Sequence, residues 1–191
     1  MQVLQDGELT NVLASRLTNS DDSSTLWGLE ATWSHSFSYL PRFFKRFGFR
    51  VGLNYVNSNF EQFDPTVDFD EDGINFFALA DLNEPAELGG SSELSGNATV
   101  FWSNSDTQIR LDYRGRTIFS NLPRNQSNRY IAGQEFATFR VNHNITPAIQ
   151  LRFQVDNLFN ETRTTFRPIK SSISQFELNQ RRFFAGARVR F

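Results

Sequence analysis

The chain has 191 residues, a net charge of −2 and 39% hydrophobic residues, and its lack of cysteine excludes disulfides and thiolate chemistry. No stretch approaches the ~18 consecutive apolar residues of a membrane-spanning helix, and residues 1–10 lack the basic head and apolar centre of an export signal. All 19 basic residues lie outside 51–109, a segment with eleven acidic residues. Because the arginines alternate along strands rather than forming one patch, no nucleic-acid partner is expected.

Period-two alternation of apolar and polar residues dominates the chain and predicts β-strands. A weak strand near residues 9–18 comes first, and the stronger strands follow in the order "WGLEATW", "FRVGLNY", "LSGNATVFW", "TQIRLDYRGR", "ATFRVNHN", "IQLRFQVDN" and "RRFFAGARVRF". No convincing amphipathic helix occurs, although residues 39–48 are expected to contain a short turn. The predicted fold is all-β, an antiparallel meander of about eight long strands.

The predicted links between strands alternate in length. "NSD" at 104–106 and "NITP" at 144–147 read as tight turns. The other links are long and run over residues 60–93, 120–133 and 162–180. Short turns at one end and long loops at the other are typical of outer-membrane barrels. The link at 39–48 falls on the short-turn side but is longer than its neighbours.

A soluble antiparallel sandwich, with its apolar face turned inward, is the alternative fold. The polar faces contain Gly, Asn, Gln and Arg but few Lys, and the loops are long for a sandwich. Aromatic residues recur near strand ends, as in the girdles of membrane barrels: Trp27, Trp33, Tyr55, Trp102 and Tyr113. These features favour a transmembrane barrel, and a soluble all-β binding module stays open as the other interpretation.

Four segments carry a resemblance to a known family. "FQVDNLFNE" at 153–161, followed by a last strand ending "GARVRF", resembles the C-terminus of TonB-dependent outer-membrane receptors, where an Asn-Leu-Phe-Asn/Asp segment precedes a terminal aromatic strand. "LWGLEATWSHSFSYLP" and "FGFRVGLNYVNSN" resemble the family's strand that descends to a periplasmic turn and the strand that climbs back. The match runs from about Leu26 to Phe191. The resemblance implies a barrel of about 22 strands around a plug domain.

The resemblance also implies a location and a function. The location is the cell outer membrane of a Gram-negative bacterium, and the complete protein would take up a scarce nutrient of the siderophore, cobalamin or oligosaccharide class, energised by TonB. Since no plug domain or signal peptide is recognisable, we expect residues 1–191 to be the C-terminal portion of the barrel domain, forming an open curved sheet if isolated. The alternative is a stand-alone small outer-membrane barrel with a structural or adhesive role.

Expected partners follow from this assignment. They are outer-membrane lipid, the missing plug domain of the same receptor, and the outer-membrane assembly machinery. The energising TonB complex would be reached only through the absent N-terminal part.

Arginines occupy the polar face of several predicted strands. A spanning strand exposes an apolar row to lipid, so the arginines would face the lumen, where plug carboxylates would pair with them bidentately. The candidates are Arg110, Arg114, Arg116, Arg140, Arg152, Arg188 and Arg190. In the other interpretation they pair with acids of the barrel wall, such as Asp112, Asp156 and Glu30.

The last strand has a second implied role. Its apolar row, Phe183, Ala187, Val189 and Phe191, resembles the C-terminal signal read by the outer-membrane assembly machinery. Physically, such recognition is the addition of one strand to the edge of another sheet. The alternative is that Phe191 only anchors the strand at the membrane interface.

An acidic loop at 61–90 contains the pattern "DFDEDG". Asp68, Asp70 and Asp72 alternate before Gly73, as in the first half of a calcium-binding EF-hand loop. Leu79 occupies the position of the bidentate glutamate and no flanking helices are predicted, so an EF-hand is rejected. A loose calcium site on this loop is the remaining hypothesis, against surface acidity that binds nothing specific.

Catalytic chemistry has little support in the sequence. His35 and His143 are the only histidines, and neither lies in a metal-binding or triad spacing. Both fall in the register of the lipid-facing residues, near predicted turns. No nucleophile elbow or phosphate-binding glycine loop occurs. We therefore predict no enzymatic activity and no cofactor.

Overall fold

The computed structural model describes the backbone of residues 2–5 and 8–11 and all atoms of residues 23–60, 88–121, 129–166 and 173–190. These residues form β-strands joined by turns, with one short 3₁₀ helix at Phe44–Arg46. The strands are β1 (Gln2–Gln5), β2 (Glu8–Asn11), β3 (Leu26–Ser36), β4 (Phe47–Ser58), β5 (Leu94–Ser103), β6 (Thr107–Arg116), β7 (Phe119–Asn121), β8 (Arg129–Ile131), β9 (Gln134–Thr146), β10 (Ile149–Asp156), β11 (Arg163–Phe166), β12 (Ile173–Glu177) and β13 (Arg182–Val189). The predicted all-β class is confirmed.

Seven long strands form one antiparallel sheet, which we call the main sheet. Their order is β3-β4-β5-β6-β9-β10-β13, so each strand pairs with its neighbour along the meander. All seven strongly alternating segments of the sequence lie in this sheet, as predicted. Within the described residues β3 and β13 each pair on one side only, and the sheet is therefore open.

The described part of the predicted first strand at 9–18, residues 9–11, is not part of the main sheet. Glu8–Asn11 pairs instead with Gln2–Gln5 in a separate two-stranded sheet, while residues 12–22 lie outside the described residues. The two short strands are adjacent in sequence, so little loop entropy opposes their pairing. Among the described residues the main sheet therefore has seven strands, where about eight were predicted.

A second, four-stranded sheet, which we call the upper sheet, occupies two links predicted as loops. Its order is β7-β8-β11-β12, which matches the order β6-β9-β10-β13 of the strands that lead into and out of it. The long links at 120–133 and 162–180 thus contain paired strands, and the prediction of plain loops was wrong. Strands of three to five residues are too short for a period-two pattern to reveal them.

The turn after β10 connects the two sheets and is organised by asparagines. Asn157 and Asn160 have positive φ angles of 53° and 57°, a backbone region that asparagine tolerates better than most residues. The buried Asn157 amide donates to the carbonyl oxygens of Glu161 and Asn179 and accepts from the Glu161 backbone N–H at 2.8 Å. The "NLFN" segment therefore joins the β10–β11 link to the β12–β13 link.

The two faces of the main sheet differ in polarity, as the alternation predicted. Cross-strand partners share a face, and one face carries mainly apolar side chains, with Leu29 at 68% and Trp33 at 65% exposure. The buried hydrophobic residues of the described chain lie in the upper sheet or in the nearby parts of β9 and β10: Ile131, Ala137, Val155 and Phe166. No second layer covers the rest of this apolar face in the part of the chain described.

Across the described ranges, no helix has the length and apolar character needed to cross a bilayer.

Candidate functional site

The strand register brings the predicted arginines onto one side of the main sheet, which we call the arginine face. Arg110 lies opposite Arg140, which lies opposite Gln154 on the next strand. Arg114 and Arg116 are an even number of residues from Arg110 on β6 and therefore lie on the same face. Arg152 shares a face with Gln154 on β10 for the same reason. Arg188 of β13 lies opposite Gln150 of β10. Arg190 follows β13 directly, and its backbone N–H donates to the Ala148 carbonyl at 2.8 Å.

Residues of β5, β6, β9 and β10 surround one region of the arginine face. The link between β12 and β13 covers one side of this region and leaves a central cavity of about 910 Å³. Three of the predicted arginines line it, Arg110, Arg114 and Arg140, together with the carboxylates of Asp112 and Asp156. Its lining of arginines, carboxylates and amides suits charged or hydrogen-bonding groups better than an apolar ligand.

Arg110 has a carboxylate of its own strand as its partner. Its Nε donates to both oxygens of Asp112, at 2.7 and 2.8 Å, and its Nη2 lies 2.6 Å from Asp112 Oδ1. Asp112 also accepts a hydrogen bond of 2.7 Å from the Thr99 hydroxyl. The alternative interpretation, in which wall acids pair with the arginines, is thus observed for this residue.

Arg140 lies directly across from Arg110, and like charges in that position repel. Its Nε donates to Gln154 Oε1 at 2.9 Å, and the Gln154 amide donates to Asp156 at 2.7 Å. Asp156 itself lies 3.8 Å from Arg182. The Asp156 carboxylate therefore pairs with Arg182, and Arg140 is held by an uncharged amide.

The remaining predicted arginines have no carboxylate partner among the described residues. Arg114 lies 5.2 Å from the centre of the Phe136 ring, and Arg116 lies 3.9 Å from the centre of the Phe119 ring. Arg116 also donates to Gln134 at 2.7 Å. Glu30, the third acid predicted as a partner, is on the same face but lies opposite Asn54 on the edge strand β3. The face therefore carries more cations than its own acids neutralise.

Two phenylalanines on the arginine face were missed by the sequence reasoning. Phe101 lies opposite Arg110, and Phe136 lies opposite Arg114. Gly48 makes room for the first of them, because a Cβ at Gly48 would lie 2.3 Å from the Phe101 ring. Phe101 lies within the segment "LSGNATVFW" and follows from its alternation, whereas Phe136 lies one residue before the segment "ATFRVNHN".

Further cations near this face were also not singled out. Arg50 lies opposite Thr99 on the arginine face. Arg163 of β11 lies with Arg116 around a second cavity of about 430 Å³ between the two sheets, and Glu177 is 3.8 Å from Arg163. Arg163 belongs to a strand too short to be predicted, so only its pairing in the upper sheet reveals this position.

The predicted assembly signal lies on the opposite, apolar face. Phe183, Ala187 and Val189 are exposed on β13 and face the same side as Val155, Leu151 and Ile149 of β10. Phe191 lies outside the described residues. The two histidines occupy the apolar register that the sequence predicted, with His35 opposite Phe49 and His143 opposite Leu151.

The candidate calcium ligands Asp68, Asp70 and Asp72 lie outside the described residues. Within the ranges that the structure describes, no group of three His, Cys, Asp or Glu side chains is placed to hold a metal ion.

Comparisons with known proteins add no identity. No protein-family model matches the chain, and no curated protein and no solved structure is significantly similar to it.

Proposed function

We propose that the main sheet is a segment of the wall of an outer-membrane β-barrel of the TonB-dependent receptor type. The observation that carries the proposal is the contrast between its two faces, one apolar and exposed, the other lined with arginines. A tilted strand of about 9–11 residues spans the hydrocarbon region of a bilayer. The seven strands, from 8 to 13 residues long, have lengths of this order.

The apolar face supports contact with lipid. Soluble monomers seldom expose contiguous apolar patches larger than a few hundred Å², whereas here apolar side chains follow each of the seven strands. Leu53, Val100 and Leu151 are 53%, 47% and 43% exposed in the middle of the sheet. Removing a large apolar side chain from water is worth about 1.5–3 kcal/mol, so a hydrocarbon environment would stabilise this face strongly.

The arginine face supports a polar interior that contains an acidic partner. Its cations outnumber their carboxylate partners among the described residues. Carboxylates from a plug domain would complete them, since guanidinium groups bind carboxylates in paired hydrogen bonds. In the complete receptor this interior would lie on the path of TonB-energised nutrient uptake, a role that rests on the sequence resemblance.

The open sheet favours a wide barrel over the stand-alone small barrel. An edge strand presents unpaired backbone groups, and these are costly in hydrocarbon. β3 and β13 therefore need further strands beside them. The apolar row of β13 is suited to strand addition at that edge, as proposed for recognition by the assembly machinery.

Single-cysteine spin labels test the proposal directly, because the chain contains no native cysteine. Labels at Leu151→Cys and Val189→Cys are compared with labels at the adjacent positions Arg152→Cys and Arg188→Cys after reconstitution into vesicles. We expect the first pair to be accessible to oxygen in the lipid and protected from an aqueous quencher, and the second pair to show the reverse. Equal aqueous access at all four positions would contradict the proposal.

A further inference from the structure

The turn between β3 and β4, residues 37–46, concentrates positive charge that the arginine face does not use. We call it the basic turn. Arg42, Lys45 and Arg46 are exposed there, and the chain contains no Asp or Glu from residue 31 to residue 60. None of the three cations forms an ion pair with any residue that the structure describes. The tight turns at the same end of the sheet, 104–106 and 147–148, contain no Lys or Arg.

Aromatic rings join the basic turn to the apolar face. Phe43 lies 5.1 Å from Trp102 and 5.2 Å from Phe47, measured between ring centres. Phe47 and Trp102 are cross-strand partners on the apolar face. Phe43 and Phe44 are 54% and 58% exposed. The rings therefore extend the apolar face beyond the ends of β4 and β5.

The cations lie at the rim of this ring cluster. The Arg46 guanidinium is 5.9 Å from the centre of the Trp102 ring, and the Trp102 indole donates to the Phe43 carbonyl at 3.2 Å. Arg42 has a φ of 51°, a left-handed conformation that is unfavourable for a residue with a side chain. The turn thus holds an arginine at a position where glycine would be relaxed.

We propose that the basic turn binds the phosphate groups of anionic phospholipids at the short-turn end of the barrel wall. This inference rests on the proposed function, because the apolar face must contact lipid for the rim to lie at headgroup depth. A Lys or Arg near an anionic membrane surface contributes about fivefold to binding. Aromatic rings at the same level suit the interface, where an apolar ring and a polar edge are both accommodated.

An acidic protein is the less suitable partner. Such a partner would approach through water, and it would leave Phe43 and Phe44 exposed or bury them in a matching apolar surface. A lipid leaflet accommodates both the rings and the cations without further matching. The continuity of the rings with the apolar face, rather than with the arginine face, favours lipid.

Tryptophan quenching measures this preference. In the full chain carrying Trp27→Phe and Trp33→Phe, Trp102 is the remaining tryptophan. The protein is reconstituted into vesicles of phosphatidylcholine and phosphatidylglycerol, with bromine on the acyl chains of one lipid or the other. We expect brominated phosphatidylglycerol to quench Trp102 more strongly than brominated phosphatidylcholine at equal mole fraction.

Variants that remove the charges of the basic turn test whether its cations cause the preference for phosphatidylglycerol. In the triple variant R42Q, K45Q and R46Q, we expect the ratio of the association constants for the two lipids to fall on the order of a hundredfold, and about fivefold for each single variant. The charge-preserving pair R42K and R46K is expected to keep the preference. R181Q removes one exposed cation at the opposite end of the sheet and is expected to leave the ratio unchanged.

The outcomes separate this inference from the proposed function. Strong but equal quenching by the two lipids, or a preference that survives in the triple variant, would overturn the lipid site and leave the barrel wall intact. Abolition of the preference by millimolar-range inorganic phosphate at constant ionic strength would assign the turn to free phosphate instead. Absence of quenching by either lipid, together with aqueous access at Leu151 and Val189, would contradict the proposed function itself.

Discussion

The main sheet and the upper sheet differ in how far they bury their side chains within the protein. The upper sheet has strands of three to five residues, yet it contains buried residues such as Ile131, Ser120, Thr165 and Phe166. The main sheet has strands up to 13 residues long, and many of its large apolar side chains are exposed. One region supplies its own core, whereas the other requires an apolar environment outside the protein. A strand's length and its burial are therefore independent properties in this chain.

Removal of Phe166 is expected to have the largest effect on the upper sheet. Phe166 is 7% exposed, and its ring stacks on Tyr130 with the centres 5.7 Å apart. Phe166→Ala should lower the free energy of opening this sheet by about 3–5 kcal/mol, because it leaves a cavity in a small core. Amide hydrogen exchange in β8 and β11 measures the effect.

A phenylalanine in the main sheet provides the matched control. Phe153 is 42% exposed on the apolar face, so Phe153→Ala should leave exchange in β8 and β11 unchanged. If Phe166→Ala accelerated exchange in β6 and β9 as much as in β8 and β11, the two sheets would be a single cooperative unit and the comparison would fail.

A charge on the apolar face is expected to have the next largest effect. Leu111 lies in the centre of the main sheet, opposite Val100 and Phe139. In vesicles, Leu111→Arg should reduce the free energy of unfolding by about 2–4 kcal/mol, since a cation at the bilayer midplane loses its hydration. Urea unfolding in vesicles is the measurement.

Thr138→Arg is the control on the opposite face. Thr138 lies opposite Asp112. We expect Thr138→Arg to lower the free energy of unfolding much less than Leu111→Arg, because the added arginine can pair with this carboxylate. Equal losses in the two variants would show that both faces meet the same environment, against the proposed barrel wall.

Loss of the Arg110 partner is expected to have the smallest effect. The two side chains are 45% and 27% exposed, so solvent screens their interaction, and Asp112→Asn should cost about 1 kcal/mol. The loss should shrink at high salt, because screening already weakens the wild-type pair. Unfolding at low and high ionic strength measures the loss and its salt dependence. Thr99→Val is the control, because it removes only the hydroxyl donor to Asp112. A loss that does not depend on salt would assign the effect to packing instead.

The faces of the main sheet were predictable from particular segments. "TQIRLDYRGR" alternates without interruption, and the structure places Arg110, Arg114 and Arg116 together on one side of β6. In "QEFATFRVNHN" the alternation puts Phe136 on the same side as Arg140. The shorter segment that begins at Ala137 does not include Phe136. A longer reading window would have placed Phe136 correctly on the arginine face.

The upper sheet and the charge partners were not predictable in the same way. β8 contains three residues, and no local pattern distinguishes it from a loop. Asp112, the observed partner of Arg110, was among the acids predicted as partners. Asp156 pairs with Arg182 instead, a contact that depends on the pairing of β10 with β13. Such pairings join residues far apart in the sequence, and local propensity carries no information about them.

The sequence by itself determined the strand class and the two-faced character of the chain, because side chains alternate across any strand and the pattern is therefore local. Within the described residues, the tertiary structure decided that seven strands form the main sheet, that β3 and β13 are its open edges, and that two predicted loops pair as an upper sheet. It also decided which arginines meet a carboxylate. These outcomes depend on register between distant segments, where a shift of one residue exchanges the two faces.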